Sequence, residues 1–128
     1  MSRAVLDASA LMAVINREPG REMLTPQIMT TAAISTVNLA EVHGKLMQRG
    51  FSADDAWAAA NGAVHEAVAF TAEQAKTAGD LLNQTRALGL SLGDRACLAL
   101  GIALRIPVYT ADRSWKNLRL GIRIHVIR

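Results

Sequence analysis

Four carboxylates occupy four separate stretches of this chain, each where an apolar run ends or a predicted helix begins. The chain has only 11 acidic residues, and acidic side chains are rarely buried without a partner. If the fold brings these four together, a cation must offset their charge. The four residues are Asp7, Glu41, Asp94 and Asp112.

The positions of these carboxylates predict that they meet at one edge of a sheet. Asp7 and Asp112 lie at the ends of predicted strands, and Glu41 and Asp94 lie in the first turns of predicted helices. In parallel α/β folds, ligands bind outside the carboxyl ends of the strands. A helix that returns along the sheet begins at that same edge, so all four side chains are expected there.

A tight cluster of carboxylates needs either protons or a metal ion. Two carboxylates about 4 Å apart repel by roughly 4 kcal/mol at an effective dielectric constant near 20. A helix N-terminus offsets only about 0.3–1 kcal/mol for each charge. Oxygen ligands without a His or Cys set favour Mg²⁺ or Mn²⁺ over zinc. The cluster therefore predicts a divalent metal site.

Each acidic residue also has a purely structural interpretation. Asp7 and Asp112 are both suited to capping a helix N-terminus. The spacings of Asn38 with Glu41 and of Ser91 with Asp94 resemble capping boxes. For any one residue this interpretation is the stronger one, and it weakens only when the four are considered together.

The elements that must position these residues alternate along the chain. Apolar runs predict strands over Arg3–Asp7, Ala32–Thr36, His65–Phe70, Pro107–Thr110 and Ile122–Ile127, the last at a sheet edge. Periodic segments predict helices over Ala8–Arg17, Gly20–Met29, Asn38–Arg49, Ala53–Val64, Thr71–Gln84 and Ser91–Arg105. This alternation predicts an α/β fold in which helices cover both faces of a parallel sheet.

Further residues near the acidic motifs are candidates for supporting roles. Ser9 and Thr110 each lie two residues from a carboxylate, and their hydroxyls could orient it or a water molecule. Turn and capping hydrogen bonds explain them equally well. Trp115 is a candidate for stacking on a base, although packing in the core is the favoured interpretation, as it is for Trp57 and Tyr109. Basic side chains that could hold RNA phosphates are Arg95, Arg113 and Lys116, followed by Lys45 and Arg49.

Composition limits the classes of protein that fit. A length of 128 residues suits one domain, residues 1–128. The net charge of +3 permits a polyanionic partner without requiring one. The single cysteine, Cys97, excludes an internal disulfide and lies among apolar residues, so it is interpreted as a core residue. No apolar stretch is long enough to span a membrane, and a cytoplasmic location is expected.

The four acidic segments, taken in order, resemble those of PIN-domain ribonucleases, in particular the VapC-type toxins of bacterial type II toxin–antitoxin pairs. The resemblance extends over essentially the whole chain, and every acidic position of the family pattern is matched. It rests on Val5-Leu6-Asp7-Ala8-Ser9-Ala10-Leu11, Val37-Asn38-Leu39-Ala40-Glu41-Val42, Leu90-Ser91-Leu92-Gly93-Asp94-Arg95-Ala96 and Val108-Tyr109-Thr110-Ala111-Asp112-Arg113.

The resemblance implies a three-layer α/β/α domain and an Mg²⁺- or Mn²⁺-dependent endoribonuclease that hydrolyses RNA, with tRNA as one possible substrate. It implies a homodimeric toxin that is inhibited by a cognate VapB-type antitoxin. Asp7, Glu41, Asp94 and Asp112 match the family's acidic quartet, with Asp7 and Asp94 as the most direct metal ligands. Either Glu41 or Asp112 would orient the attacking water.

Two other functions remain open at this point. A PIN-like module with an inactive site would bind RNA or protein without cleaving it. A phosphoryl-transfer domain of the receiver type would also use acidic residues and Mg²⁺ at strand ends. That class needs an acceptor Asp on a central strand, and the predicted strand His65–Phe70, taken as central, ends without one.

Overall fold

The fold is built on one sheet of five parallel strands. The computed structural model describes all of residues 1–128, and its strands are β1 (Ala4–Leu6), β2 (Ala32–Ser35), β3 (Glu66–Val68), β4 (Val108–Thr110) and β5 (Ile124–Val126). Their order in the sheet is β3-β2-β1-β4-β5. The register pairs Val5 of the central strand β1 with Ala33 on one side and with Val108 on the other.

Seven α-helices and three short 3₁₀ helices connect the strands. The α-helices are α1 (Ala8–Ile15), α2 (Pro26–Met29), α3 (Thr36–Gln48), α4 (Ala53–Gly62), α5 (Ala72–Asp80), α6 (Leu82–Thr85) and α7 (Leu92–Leu104). The 3₁₀ helices are Arg21–Met23, Arg86–Leu88 and Arg113–Asn117. None of the helices combines the length and apolar character needed to cross a bilayer.

Adjacent residues of β1 face two different cores, because successive side chains of a strand point to opposite faces. Leu6 belongs to the core formed with α1, α3 and α4, whereas Val5 belongs to the core formed with α7 and the segment around Trp115. Both side chains are fully buried. The predicted three-layer α/β/α architecture with a parallel central sheet is therefore confirmed.

Three of the predicted elements differ from the structure. The helix predicted over Thr71–Gln84 is divided at Leu81 into α5 and α6. The helix predicted over Gly20–Met29 is divided into the 3₁₀ helix Arg21–Met23 and the short helix α2. Thr25 caps α2 and Pro26 begins it, because proline lacks only an N–H that the first turn leaves unpaired. The strand predicted over His65–Phe70 forms at Glu66–Val68, but it lies at a sheet edge and is not central.

The strand order places a topological switch point between β1 and β4. The chain builds outward from β1 through β2 to β3, then returns and adds β4 on the other side of β1. Ligands of open α/β sheets bind at such a crevice. Receiver domains have the strand order 2-1-3-4-5, so the topology disfavours that class. The prediction that the central strand ends without an acidic residue is wrong, because the central strand is β1 and Asp7 directly follows it.

Candidate active site at the carboxyl edge of the sheet

Asp7 is the buried centre of the switch point. It follows β1 and caps α1, where its Oδ1 accepts a hydrogen bond from the Ala10 N–H at 2.8 Å. The Thr110 hydroxyl donates to Oδ2 at 2.6 Å, and the Ser9 hydroxyl lies 2.8 and 2.9 Å from the two oxygens. Only 3% of the Asp7 surface is exposed. The carboxylate is thus fixed in orientation before any ligand arrives.

Burial of this carboxylate has an electrostatic consequence. The pKa of Asp7 is raised from 3.8 to about 6, mainly because burial desolvates the carboxylate; the hydrogen bonds from Thr110, Ala10 and Ser9 lower it in part, and the charge of Asp94 raises it. A raised pKa means that the charged form is disfavoured in the protein. A nearby cation would remove that penalty.

Thr110 connects Asp7 to the segment that carries Asp112. Its hydroxyl donates to Asp7 and accepts the Asp112 N–H at 3.0 Å. The Ser9 hydroxyl accepts the Ala111 N–H at 2.9 Å, so the loops after β1 and β4 are bound to each other. Asp112 itself is exposed and caps the 3₁₀ helix Arg113–Asn117 through the Ser114 N–H.

Asp94 is held by the capping box predicted at the start of α7. Its Oδ2 accepts the Ser91 N–H at 2.9 Å, and its own N–H donates to the Ser91 hydroxyl at 3.2 Å. The structural interpretation of Asp94 is therefore correct. It does not exclude a second role, because Asp94 still acts electrostatically on Asp7.

Glu41 is oriented by Asn38, which also binds Gly93, and the sequence predicts no role in the site for either residue. The Asn38 amide donates to Glu41 Oε1 at 2.9 Å and to the Gly93 carbonyl, also at 2.9 Å. Asn38 is 1% exposed, and its Oδ1 has no partner. The predicted capping role of Asn38 is wrong, since α3 begins at Thr36 and is capped by Ser35.

Gly93 allows α7 to approach the Glu41 carboxylate. A Cβ added at residue 93 would overlap both carboxylate oxygens and lie 2.8 Å from the Glu41 carboxyl carbon. No other residue type fits there unless Glu41 moves. Asn38 and Gly93 together fix α3 against the N-terminus of α7.

Three of the four predicted carboxylates act electrostatically on one buried thiol. Burial raises the pKa of Cys97 well above its ordinary value, and the charges of Asp7, Asp94 and Glu41 raise it further. Cys97 is fully buried, which confirms its place in the core. Asp112 adjoins this group only through Thr110. No three His, Cys, Asp or Glu side chains lie close enough to share one metal ion in this arrangement.

Comparison with known proteins identifies the fold and the family. The model of the PIN domain family matches residues 4–120. The chain belongs to the PIN domain family. No curated protein matches it.

Solved structures with the same fold include several toxin–antitoxin proteins. DNA-bound VapBC from Salmonella typhimurium aligns over 100% of both chains with a TM-score of 0.77 and 16% identity. VapBC2 from Rickettsia felis, bound to a promoter DNA fragment, aligns over 98% of both chains with a TM-score of 0.73 and 18% identity. The Mycobacterium tuberculosis toxin VapC20, described as cleaving the sarcin–ricin loop, aligns over 94% of this chain and 98% of its own with a TM-score of 0.71 and 21% identity.

The basic candidates of this PIN domain have different surroundings. Arg95 is half-buried and donates to the Ala78 carbonyl at 2.9 Å, which ties α7 to α5. Arg113 is exposed and donates to the Arg128 carbonyl at 3.1 Å. Lys116 is exposed, as are Lys45 and Arg49 on α3 and its C-cap.

The aromatic residues divide between core and surface. Trp115 is fully buried in the core beside α7, so it cannot stack on a base and the packing interpretation is correct. The prediction that Trp57 is a core residue is wrong, because 48% of it is exposed, where it meets the edge of His43 at 5.7 Å between ring centroids. Tyr109 is half-buried and stacks on His125 at 4.7 Å.

Proposed function

We propose that this PIN domain is an Mg²⁺- or Mn²⁺-dependent endoribonuclease that hydrolyses RNA phosphodiester bonds. The observation that carries the proposal is the buried Asp7 carboxylate, whose pKa is raised to about 6 at the switch point of the sheet. Strongly perturbed pKa values of this kind cluster at functional sites, where the charged form of the group is needed for binding or catalysis. Structural likeness to VapC20 and membership in the PIN family support an RNA substrate.

The residues at this edge fit a hard divalent cation. All the candidate ligands are oxygen atoms, as Mg²⁺ and Mn²⁺ prefer, and the unpartnered Asn38 Oδ1 is a further acceptor inside the site. Asp7 and Asp94 would hold the ion most directly, with Glu41 and Asp112 completing the set. Bound there, a divalent ion would neutralise charge that develops on the phosphodiester during hydrolysis.

The protein's own groups would orient and restrict the reactants. Ser9 and Thr110 fix both oxygens of Asp7. Glu41, fixed by Asn38, or Asp112, at the rim, would orient the water that attacks phosphorus in line. Such attack yields a 5′-phosphate and a 3′-hydroxyl.

Cleavage of total RNA by antitoxin-free protein tests this proposal. We expect cutting at discrete positions with Mg²⁺ or Mn²⁺, none with EDTA, and none with Asp7→Asn. Asp54→Asn is the matched control, because it makes the same chemical change at an exposed position on α4. Products that carry 5′-phosphates would support hydrolysis. Cutting that persists in EDTA or in Asp7→Asn would refute the assignment.

A second candidate is an inactive PIN module that binds RNA or protein. The observation in its favour is that no three potential ligands share one ion position. Such a module would bind RNA equally well with and without Asp7→Asn and would cut none with either metal.

We also propose that residues 1–128 form a single toxin domain, which assembles as a homodimer and is inhibited by a VapB-type antitoxin. Structural relatives solved as VapBC complexes support the antitoxin partner. Exposed apolar side chains at the α3–α4 hairpin, Met47, Phe51 and Trp57, offer a surface for a protein partner. Sedimentation tests the dimer. Inhibition titrations with the cognate antitoxin against wild type and Trp57→Ala test the surface, and equal inhibition would exclude it.

A further inference from the structure

Positive charge is concentrated in the last quarter of the chain. Residues 95–128 contain seven Lys and Arg against the single acidic residue Asp112, which gives a net charge of +6. Residues 1–94 contain seven Lys and Arg against ten Asp and Glu, which gives −3. The modest overall charge therefore hides a strongly basic segment.

The fold arranges this segment along the edge strand β5. Three surface depressions follow the strand. The depression that contains Arg113 shares Lys116 and His125 with the next one, and that one shares Arg123 with the third, so the three are continuous. We call this continuous depression the β5 groove. Its basic side chains are Arg113, Lys116 and Arg128 in the depression beside the carboxyl edge of the sheet, Arg119 and Arg123 in the middle one, and Arg105 in the last.

Five of the six groove cations lack acidic partners. The only two salt bridges of the protein use Lys76 and Arg128, so Arg128, which pairs with Glu18, is the one groove cation that is paired. Arg119 and Arg123 are exposed, and the one hydrogen bond made by the Arg119 side chain is to the neighbouring Leu118 carbonyl. Unpaired like charges repel one another and oppose folding, which favours a role in binding a polyanion.

The groove begins at the candidate active site. Its first residue, Arg113, directly follows Asp112, and the Ile127 N–H beside it donates to the Thr110 carbonyl at 2.8 Å. Thr110 in turn donates to Asp7. A chain that enters the acidic site can therefore continue along β5 without leaving the surface.

The surface between the cations is apolar. Leu120, Ile122 and Ile124 line the groove. Proteins that hold single-stranded nucleic acid combine a basic groove that follows the phosphates with ring side chains on which bases stack, and the His125 ring lines this groove. An acidic peptide could also pair with these cations. The groove leads to the acidic site, however, and the proposed substrate of that site is a phosphodiester chain.

We propose that the β5 groove binds the phosphates of single-stranded RNA on one side of the scissile bond, and that Arg119 and Arg123 hold the phosphates farthest from the acidic site. This inference rests on the proposed ribonuclease function. The inference adds the path of the RNA, which runs from the acidic site along β5 and not across α3.

Binding in EDTA separates recognition from cleavage. The probe is a fluorescein-labelled single-stranded RNA of about 12 nucleotides, within the usual site sizes, titrated at several salt concentrations. The test variant is the double substitution Arg119→Gln/Arg123→Gln. The matched control, Lys76→Gln/Arg86→Gln, removes the same net charge from exposed positions on α5 and in the following 3₁₀ turn.

We expect the groove variant to bind about tenfold more weakly near 0.1 M salt, and the control less than twofold. The slope of log K against log salt should become shallower by about 1.4, because each phosphate contact on a single strand contributes about 0.7. Equal losses in both variants would show only long-range attraction and would overturn the groove. So would unchanged binding by the groove variant at an unchanged melting temperature.

Two further results separate this inference from the proposed function. Wild type that binds RNA through Arg119 and Arg123 but cuts none with Mg²⁺ or Mn²⁺ would refute the nuclease and leave the groove intact. Wild type that cuts RNA, together with a groove variant that binds RNA normally, would refute the groove and leave the nuclease intact. A poly-glutamate peptide that binds more tightly than the RNA, and is lost in the groove variant, would assign the groove to a protein partner.

Discussion

Replacement of Asp7 by Asn should stabilise the metal-free protein at neutral pH while abolishing its activity. Because burial raises the pKa of Asp7 from 3.8 to about 6, the folded protein holds a proton that the unfolded chain releases between those two pH values. The free energy of unfolding therefore falls as pH rises through this interval. Each pH unit of difference is worth 1.36 kcal/mol, so the loss is about 3 kcal/mol and is complete above about pH 6.

Asn at residue 7 would escape this loss. Its oxygen can accept the Ala10 N–H, and its amide can donate to the hydroxyls of Ser9 and Thr110, which can act as acceptors. Urea unfolding of wild type and Asp7→Asn in EDTA, at intervals between pH 4 and pH 7.5, measures the difference directly. We expect similar stability near pH 4 and about 3 kcal/mol in favour of the variant above pH 6.5.

Two outcomes would refute this reasoning. Parallel curves across the pH range would mean that Asp7 is not desolvated as its 3% exposure indicates. A variant less stable than wild type at pH 7.5 would mean that the three hydrogen bonds to the carboxylate outweigh its burial. Asp54→Asn, at an exposed position, should show no pH-dependent difference of this size.

Three more predictions concern the same site. Gly93→Ala should reduce RNA cleavage by about 100-fold, because the new Cβ displaces the Glu41 carboxylate and small displacements are costly to catalysis. The control Gly44→Ala, where the added Cβ meets nothing, should keep full activity and gain about 0.5–1 kcal/mol in urea unfolding. Asn38→Ala should cost about 1–3 kcal/mol of stability, since the Gly93 carbonyl loses its side-chain donor, and should weaken Mn²⁺ binding by at least tenfold in calorimetry; unchanged Mn²⁺ affinity would confine Asn38 to a structural role. Mn²⁺ at about 100 times its Kd should stabilise wild type by about 2.7 kcal/mol in thermal unfolding and Asp7→Asn far less, and equal shifts would move the metal elsewhere.

Most of the fold could be predicted from the sequence because its cues are local. The helices predicted to begin at Ala53, Thr71 and Ser91 begin within one residue of those positions, and side chains that cap the first turn mark each start. The position of a strand in the sheet is not a local property. The prediction that the strand His65–Phe70 is central is wrong, and the exposed pattern of Glu66–Val68 suits the sheet edge that this strand occupies.

The candidate site shows the same division between features that local sequence predicts and features that depend on distant residues. The acidic residues were found from their places at strand ends and in first turns, which short-range rules describe. The hydrogen bond from Asn38 to the Gly93 carbonyl joins residues 55 apart in the chain, and no pattern in one sequence indicates it. The exposure of Trp57 is likewise not predictable from one sequence, because an aromatic residue on an alanine-rich helix is buried or exposed according to how the neighbouring helices pack.

The hydrogen bond between Asp7 and Thr110 has a consequence for the moment at which the site forms. It joins residues 103 apart, from the first and the fourth strands of the chain. During synthesis, N-terminal segments emerge and fold first, but the support for Asp7 does not exist until β4 has been made and has paired with β1. A nascent chain that ends before residue 110 cannot hold Asp7 in its final orientation. The proposed ribonuclease would therefore act on RNA only after β4 has been synthesised and has paired with β1.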